Sequence, residues 1–292
     1  MWECSKASLC QCPDIHWRTG AGNSFYMIES HRPKEQFSEG TKTSETNSVP
    51  GRRRWCDIVG SYSPLGLTLD KDKLPALSGV AKRERRLRRG DQYLAGLWRS
   101  TLLTDIQWRR CDYPNRIRIP DKWRAPSWSW AAHDGEARMT LDLGQQYCTV
   151  LDASVTLAGP DPTGEILDGY LILSGPVIVA TVLDLDEGSF PGGTLECNGL
   201  GLHFELVCPN ASRKNEDKIQ IGDSLSCLRM QAGTKQPPHS LANYCLVLRK
   251  TLNSGSTERL LTYERVGDLY SKGEAIETWF TMEIQSTTLK IV

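Results

Sequence analysis

The sequence has no excess of charge of either sign and no long hydrophobic run. Its 292 residues carry 35 lysines and arginines against 35 aspartates and glutamates, which argues against a dedicated nucleic-acid-binding protein, because such proteins are normally basic overall. The most apolar stretch, Tyr170 to Leu185, is interrupted at Gly175-Pro176 and falls short of the roughly 20 residues that span a membrane. No apolar core of a signal peptide follows Met1. We therefore expect a soluble, cytoplasmic protein that binds neither nucleic acid nor membranes.

Several signatures of catalysis and cofactor binding are also missing. The chain has no phosphate-binding loop of the G-x-x-x-x-G-K-[ST] type, no G-x-S-x-G nucleophile motif and no H-E-x-x-H metal motif. Gly199-Leu200-Gly201 lacks the third glycine of a dinucleotide-binding fingerprint. We predict no cofactor, and we favour a protein that is not an enzyme.

The ten cysteines do not predict a disulfide framework, since such frameworks belong to much shorter secreted chains. Cys148, Cys227 and Cys245 stand singly in apolar runs, where a free thiol behaves as a small buried hydrophobe. Four soft ligands fall close together near the N-terminus: Cys4, Cys10, Cys12 and His16. A zinc site is chemically possible there, but the spacing matches no common zinc module. We favour ordinary thiols and predict no metal.

The overall neutrality hides an asymmetry between the two halves. Residues 1–135 hold 23 basic and 15 acidic residues, a net charge of +8, and residues 136–292 hold 12 basic and 20 acidic, a net charge of −8. Opposite charges of this kind favour docking of the two regions on each other, or they leave a basic surface for a partner.

The densest positive segment, Lys82 to Arg89, has six basic residues and one acidic residue. On a helix it forms a positive face that is solvated, is paired with the acidic half, or binds phosphate or an acidic partner. The candidate partner-binding residues are its arginines: Arg83, Arg85, Arg86, Arg88 and Arg89.

Three regions differ in their periodicity. Residues 1–54 lack periodicity and predict an irregular N-terminal arm, with a polar loop or linker from Glu29 to Pro50. Residues 55–135 predict a helical hairpin with a Trp-rich connector, and residues 136–292 predict an antiparallel β-domain.

The hairpin prediction rests on helical spacing and on start and stop signals. The first helix would begin near Asp70 or Asp72, with Pro75 in its first turn, and would end at Gly90. The second would begin near Asp91 and carry Leu94, Leu97, Trp98 and Leu102 on one face. Gly79 and Gly96 would lie inside these helices at a cost of about 1 kcal/mol each, which suggests close helix contact at both positions.

The β-domain prediction rests on short runs rich in Val, Leu, Ile and Thr between turn signals such as Asp168-Gly169 and Gly222-Asp223. The predicted strands are 147–157, 169–174, 177–185, 201–207, 224–230, 244–250, 259–266, 278–284 and 287–292. The fold class is therefore α+β: an N-terminal irregular arm and a short helical hairpin packed on a C-terminal antiparallel β-barrel or sandwich.

Six of the nine tryptophans lie between residues 55 and 130: Trp55, Trp98, Trp108, Trp123, Trp128 and Trp130. We expect them to pack between the helices and the β-domain, the alternative being a ligand or partner surface. The segment from Trp123 through Pro126 to Trp128 and Trp130 is a candidate structural motif. His133-Asp134-Gly135, which follows it, predicts a turn rather than a catalytic pair.

These same residues carry a family resemblance. Three segments resemble fungal heterokaryon incompatibility (HET) domain proteins. They are the run from Trp55 through Asp72-Lys73-Leu74-Pro75-Ala76-Leu77, the segment Tyr93-Leu94-Ala95-Gly96-Leu97-Trp98 and the block Ala125-Pro126-Ser127-Trp128-Ser129-Trp130. Trp2-Glu3-Cys4 resembles the end of the HET domain itself, so the chain resembles the part that follows that domain. The resemblance implies a link to self/non-self recognition and programmed cell death, and it supplies no catalytic residue for this part.

The favoured function is a non-catalytic scaffold or regulatory module that binds a protein partner, for example a full-length HET homologue. Binding would use the basic helix or an apolar surface left by the missing HET domain. The alternative is an enzyme of unknown reaction whose site lies between the helical and β regions, near His133, Asp134 or His203.

Overall fold

The protein combines a few short helices with one large β-sheet. The computed structural model describes the backbone of Trp2–Cys4 and Ala7–Leu9 and residues 51–111, 118–139, 144–188, 190–232, 243–251, 260–271, 275–280 and 284–292. Within these residues the main sheet has nine strands, so the predicted mixture of helix and strand is confirmed. No helix of the described part is long and apolar enough to cross a membrane.

The described ranges contain four α-helices: α1 (Arg52–Tyr62), α2 (Ser78–Leu87), α3 (Leu102–Asp105) and α4 (Ala275–Trp279). Helix α1 departs from the prediction, because it begins inside the expected irregular arm and crosses the boundary placed at residue 54. Trp55, Ile58 and Val59 recur at helical spacing along α1 and are fully buried, so this helix places one apolar face in the core.

Little of the predicted arm falls within the described residues. Strands β1 (Trp2–Cys4) and β2 (Ala7–Leu9) pair as an antiparallel hairpin. The polar loop predicted from Glu29 to Pro50 lies outside the described residues.

The first predicted helix is shorter than expected. The chain forms 3₁₀ turns over Asp70–Lys73 and Pro75–Leu77, and α2 begins only after them. Helix α2 ends close to the predicted stop, since Gly90 has a φ of 83°, the left-handed conformation typical after a helix. A Cβ at Gly79 would meet nothing within 4 Å, so the close contact predicted there is wrong.

The second predicted helix is wrong. Strands β3 (Tyr93–Leu94) and β4 (Leu97–Trp98) form a β-hairpin. Ala95 and Gly96 make its two-residue turn with φ values of 48° and 91°, and positive φ at both positions is typical of tight hairpins. Leu94 pairs with Leu97, so the turn produces apolar residues three apart, the spacing of a helix face. The predicted helical hairpin is therefore one helix followed by a β-hairpin, with α3 after it.

The remaining strands are β5 (Arg109–Arg110), β6 (Ala137–Arg138), β7 (Gln145–Gln146), β8 (Thr149–Leu157), β9 (Ile166–Asp186), β10 (Gly192–Cys197), β11 (Leu200–Leu206), β12 (Ser224–Ala232), β13 (Asn243–Lys250), β14 (Thr262–Ser271) and β15 (Ser286–Ile291). Most of the predicted strands are present with shifted ends. Strands β7 and β10 of the main sheet are additional, and residues 278 and 279 of the predicted strand 278–284 belong to helix α4 instead.

Strand β9 joins two predicted strands into one of 21 residues. Its first half pairs with β8 and β15, and its second half pairs with β12 and β10. The change of partners occurs at Gly175-Pro176, because the pairing with β15 ends at Pro176 and the pairing with β12 begins at Val177. A proline lacks a backbone N–H, so it is tolerated where one ladder gives way to the next.

The pairings of six strands form a circuit that runs β9, β12, β13, β14, β11, β10 and back to β9. All six of these pairings are antiparallel. The pairing of β14 with β15 is parallel, so the predicted wholly antiparallel domain is wrong in this one place.

The described residues form two apolar clusters. One cluster, built from the circuit strands, α4 and the segment before β12, includes Phe204, Val247 and Trp279. The other joins α1, α2, the β3–β4 hairpin and the Trp-rich segment to strands of the sheet. The predicted helical and β regions therefore share one core.

The two oppositely charged halves are linked by ion pairs, as the charge asymmetry predicts. Arg109 on β5 pairs with Glu205 at 3.0 Å and with Asp268 at 3.3 Å. Lys82 on α2 pairs with Asp161 at 2.7 Å. Arg109 and Lys82 belong to the basic half, and their partners belong to the acidic half.

Candidate functional site

The arginine-rich segment lies on helix α2 and the turn that follows it, and its charges divide into two groups. Arg88 is inward, with a side chain that is 3% exposed. It donates a hydrogen bond to the carbonyl of Gly51 at 2.8 Å and lies 5.0 Å over the ring of Trp98. Glu84, the one acid of the segment, is buried and pairs with Arg54 at 3.0 Å. Arg88 therefore belongs to the core of the helical region rather than to a binding surface.

Arg85, Arg86 and Arg89 form the outward group. All three are exposed, and they have no acidic side-chain partner among the described residues. With Lys82, Gly90 and Pro162 they line a shallow depression of about 700 Å³. We call Lys82, Arg85, Arg86 and Arg89 the basic surface. Arg83, the fifth predicted binding residue, is half-buried and does not line this depression.

An apolar side chain accompanies the basic surface, since Leu87 on the same helix is 57% exposed. Arginine is enriched at protein–protein interfaces, and an exposed apolar side chain beside it adds area that a partner can bury. On α2, Lys82 lies three residues before Arg85 and four before Arg86, and like charges at these spacings on a helix repel each other.

The Trp-rich segment is mostly structural, as predicted. Trp128 and Trp130 are 0% and 1% exposed, and Pro126 is buried. The carbonyl of Trp128 accepts a hydrogen bond from the indole N–H of Trp108 at 2.9 Å. Trp128 and Trp130 lie in a turn and a 3₁₀ helix rather than in a strand. Trp123 departs from the prediction, since it is 52% exposed.

Trp123 lines a cleft of about 740 Å³ between the Trp-rich segment and the β-domain, which we call the Trp123 cleft. Six cationic side chains line it: Lys122, Arg124, Arg213, Lys214, Arg249 and Arg265. Four acidic side chains line it as well: Asp121, Asp168, Asp217 and Glu264. Clefts of this volume are typical of small-molecule sites.

His133 also lines the Trp123 cleft and is half-buried in it. Its Nδ1 is buried and has no hydrogen-bond partner in the described part of the chain. Burial lowers the pKa of His133 well below its usual value, and positive charges, led by Arg110 and Arg213, lower it further. The imidazole is therefore neutral at pH 7.

The neighbouring carboxylate does not form a pair with this histidine. Asp134 binds Arg124 at 2.7 Å and Arg118 at 3.0 Å, and residues 133–135 form bends. The turn predicted for His133-Asp134-Gly135 is thus confirmed. His203 is exposed on β11 and does not line the cleft.

The β-domain supplies residues that sequence patterns did not single out. Arg213 follows a 3₁₀ turn over Asn210–Ser212, and its side chain is only 6% exposed. Its nearest acidic group is Glu264, with a separation of 3.9 Å between the charged atoms. Glu264 is also bound by Arg249. Arg213-Lys214 carries no motif of its own, so only the fold assembles these charges.

The described residues include some, but not all, of the cysteines on which the thiol and metal predictions rest. Cys148, Cys227 and Cys245 are buried, as predicted. No group of three or more side chains that could hold a metal ion occurs in the described ranges. The side chains of Cys4, Cys10, Cys12 and His16 lie outside these ranges.

Comparison of the chain with protein-family models, curated proteins and solved structures finds no match. The resemblance to HET-domain proteins stays a prediction from sequence motifs.

Proposed function

We propose that the chain is a non-catalytic scaffold or regulatory module that binds an acidic protein surface through its basic surface. The observation that carries the proposal is the exposure of Arg85, Arg86 and Arg89 without acidic side-chain partners among the described residues. Lys82 and Arg88, in the same segment, have partners within the chain. Arg85 and Arg86 also lie three and four residues after Lys82 on α2, where like charges repel each other, and an acidic partner would offset that repulsion.

The resemblance to fungal HET-domain proteins supports a place for this module in self/non-self recognition and cell death in the cytoplasm. A full-length HET homologue with an acidic surface is the partner we propose. The circuit of six paired strands supports the barrel form of the predicted β-domain, and such a domain would act as a rigid platform for α2.

The experiment is a quantitative interaction measurement in fungal cells. Tagged wild-type protein is compared with Arg85→Gln/Arg89→Gln and with Lys71→Gln/Lys250→Gln, which removes the same charge from exposed positions elsewhere. After cross-linking, bound proteins are quantified by mass spectrometry. We expect a protein with an acidic surface to be lost from the arginine variant and retained by the lysine variant. Equal recovery of every bound protein from both variants would overturn the proposal.

The second candidate is the enzyme with a site between the two regions, which the Trp123 cleft favours because it lies at that junction and contains His133. Hydrolase and transferase substrates would be screened with the wild-type protein and His133→Asn. Turnover abolished by His133→Asn would support the enzyme and contradict the non-catalytic module.

A further inference from the structure

The Trp123 cleft contains a buried cation whose hydrogen bonds are incomplete. The Nε of Arg213 is buried and has no hydrogen-bond partner in the described part of the chain. Its ion pair with Glu264 is long, at 3.9 Å, and Glu264 is shared with Arg249. Removing a charge from water is costly unless it is fully paired. Arg213 therefore has an unused hydrogen-bond donor, and a ligand that enters from the open side of the cleft can provide the acceptor.

His133 adds a second unused polar atom in the same cleft. Its Nδ1 is buried without a partner in the described residues. A neutral imidazole carries a proton on one nitrogen, so His133 can donate to an oxygen atom. Arg213 and His133 both line the Trp123 cleft.

The acidic side chains of the cleft leave the positive charge of Arg213 incompletely paired. Asp217 and Glu264 both pair with Arg249, whose side chain is 21% exposed. By contrast, Arg213 and Arg265 have side chains that are 6% and 0% exposed. Arg265 is paired with the buried Asp268 at 3.4 Å. Glu264 is shared between Arg249 and Arg213, so Arg213 is the buried cation of the cleft whose pairing is least complete.

Trp123 contributes an apolar face to the same cleft. It lines the cleft and remains 52% exposed, in contrast to its buried neighbours Trp128 and Trp130. An exposed indole is a favourable platform for a planar or apolar group.

We propose that the Trp123 cleft binds a small organic anion. Its oxyanion, a phosphate or a carboxylate, accepts hydrogen bonds from Arg213 and His133, and its planar or apolar part contacts Trp123. A guanidinium binds both kinds of oxyanion with directed, charge-assisted hydrogen bonds. This site is separate from the basic surface, because the two share no lining residue.

The test is calorimetric titration of the full chain with phenyl phosphate, benzoate and inorganic phosphate, with benzylamine as the cationic control. We expect an aromatic anion to bind and benzylamine not to bind. Tighter binding of phenyl phosphate identifies a phosphate ligand, and tighter binding of benzoate identifies a carboxylate ligand. Arg213→Gln should weaken binding about tenfold or more, because it removes a charge-assisted donor.

Two further variants keep the test decisive. Trp123→Ala changes an exposed side chain and should weaken the aromatic anions while leaving inorganic phosphate unaffected. Arg86→Gln removes one charge from the basic surface and should leave all titrations unchanged. If Arg213→Gln fails to fold, the contrast between Trp123→Ala and Arg86→Gln decides.

Several results would overturn the anion site. These are an absence of anion binding by folded wild-type protein at millimolar concentration, equal binding of benzylamine, or an equal loss in Arg86→Gln. None of them depends on whether an acidic protein binds the basic surface.

Discussion

Trp55 and Trp130 donate their indole N–H groups to the same acceptor, the carbonyl oxygen of Gly96, each at 3.0 Å. One tryptophan comes from helix α1 and the other from the Trp-rich segment, so the turn between β3 and β4 ties both to the hairpin. Trp55 also contacts Trp98 edge-on, with 5.4 Å between ring centroids. Trp55 and Trp130 are thus held in the core by hydrogen bonds as well as by apolar contacts.

The first prediction concerns Gly96 itself. A Cβ at this position would lie 2.5 Å from Nε1 of Trp130, and the φ of 91° is strained for any other residue. Gly96→Ala should lower the free energy of unfolding by about 2–4 kcal/mol, because backbone strain and overpacking each cost about 1–3 kcal/mol. Urea denaturation measures the change.

Gly79 provides the matched control for Gly96. It lies inside α2 with nothing within 4 Å of an added Cβ, so Gly79→Ala should gain up to about 1 kcal/mol from helix propensity. A similar effect of both substitutions would contradict the role assigned to the Gly96 turn.

The second prediction concerns alkaline pH. Burial raises the pKa of Cys56, Cys148 and Cys227 from 9.0 to about 12. Between these values the unfolded chain releases thiol protons that the folded protein keeps, so stability falls as the pH rises above about 9. Each thiol contributes a slope of up to about 1.4 kcal/mol per pH unit.

Urea denaturation under reducing conditions, from pH 8 to pH 10.5, measures this dependence. Cys227→Ala should give a shallower decline than the wild type. Cys111→Ser, at an exposed cysteine, should leave the slope unchanged. An unchanged slope in Cys227→Ala would refute the assignment.

The third prediction concerns acidic pH. Because burial and nearby arginines lower the pKa of His133 well below 6.5, its contribution to stability is present above pH 6.5 and is lost as the pH falls. His133→Asn should therefore flatten the pH dependence of unfolding below pH 6.5. His203→Asn, at the exposed histidine on β11, serves as the control. If unfolding of His133→Asn still depends steeply on pH below 6.5, that dependence arises from other groups and the prediction is wrong.

The fourth prediction concerns Asn210, which holds the segment before Arg213. Its side-chain oxygen accepts from the backbone N–H of Ile219 at 2.9 Å, and its amide nitrogen donates to the carbonyl of Ile219. Asn210→Ala should lower stability by about 1–3 kcal/mol, since it leaves buried backbone groups unpaired. Asn215→Ala, at an exposed position nearby, should change stability little. Thermal denaturation that ranks the two variants equally would contradict this.

The sequence predicted the burial of most tryptophans and the existence of most strands, because these depend on residue type and local periodicity. It mistook the β3–β4 hairpin for a helix, since the pairing of Leu94 with Leu97 imitates helical spacing. It also placed a break at Pro176, where the strand continues and only its neighbours change.

Of the two candidate sites, the sequence predicted the basic surface but not the Trp123 cleft. The basic surface is a continuous segment, so its charge was evident, although the inward orientation of Arg88 was not. The Trp123 cleft joins His133 to Arg213, which are distant in sequence and carry no shared motif. Only the packing of the Trp-rich segment against the sheet brings them to one cleft.

Fluorescence anisotropy with a labelled poly-glutamate peptide tests the central claim, binding of an acidic protein through the basic surface, most directly. We expect wild-type protein and Lys71→Gln/Lys250→Gln to bind the peptide with similar affinity in low salt. Arg85→Gln/Arg89→Gln should bind more weakly, by up to about thirtyfold, because it removes two exposed ion pairs that contribute up to about 1 kcal/mol each. Equal affinities of the two double variants, or tighter arginine-dependent binding of single-stranded DNA of the same charge, would contradict the account.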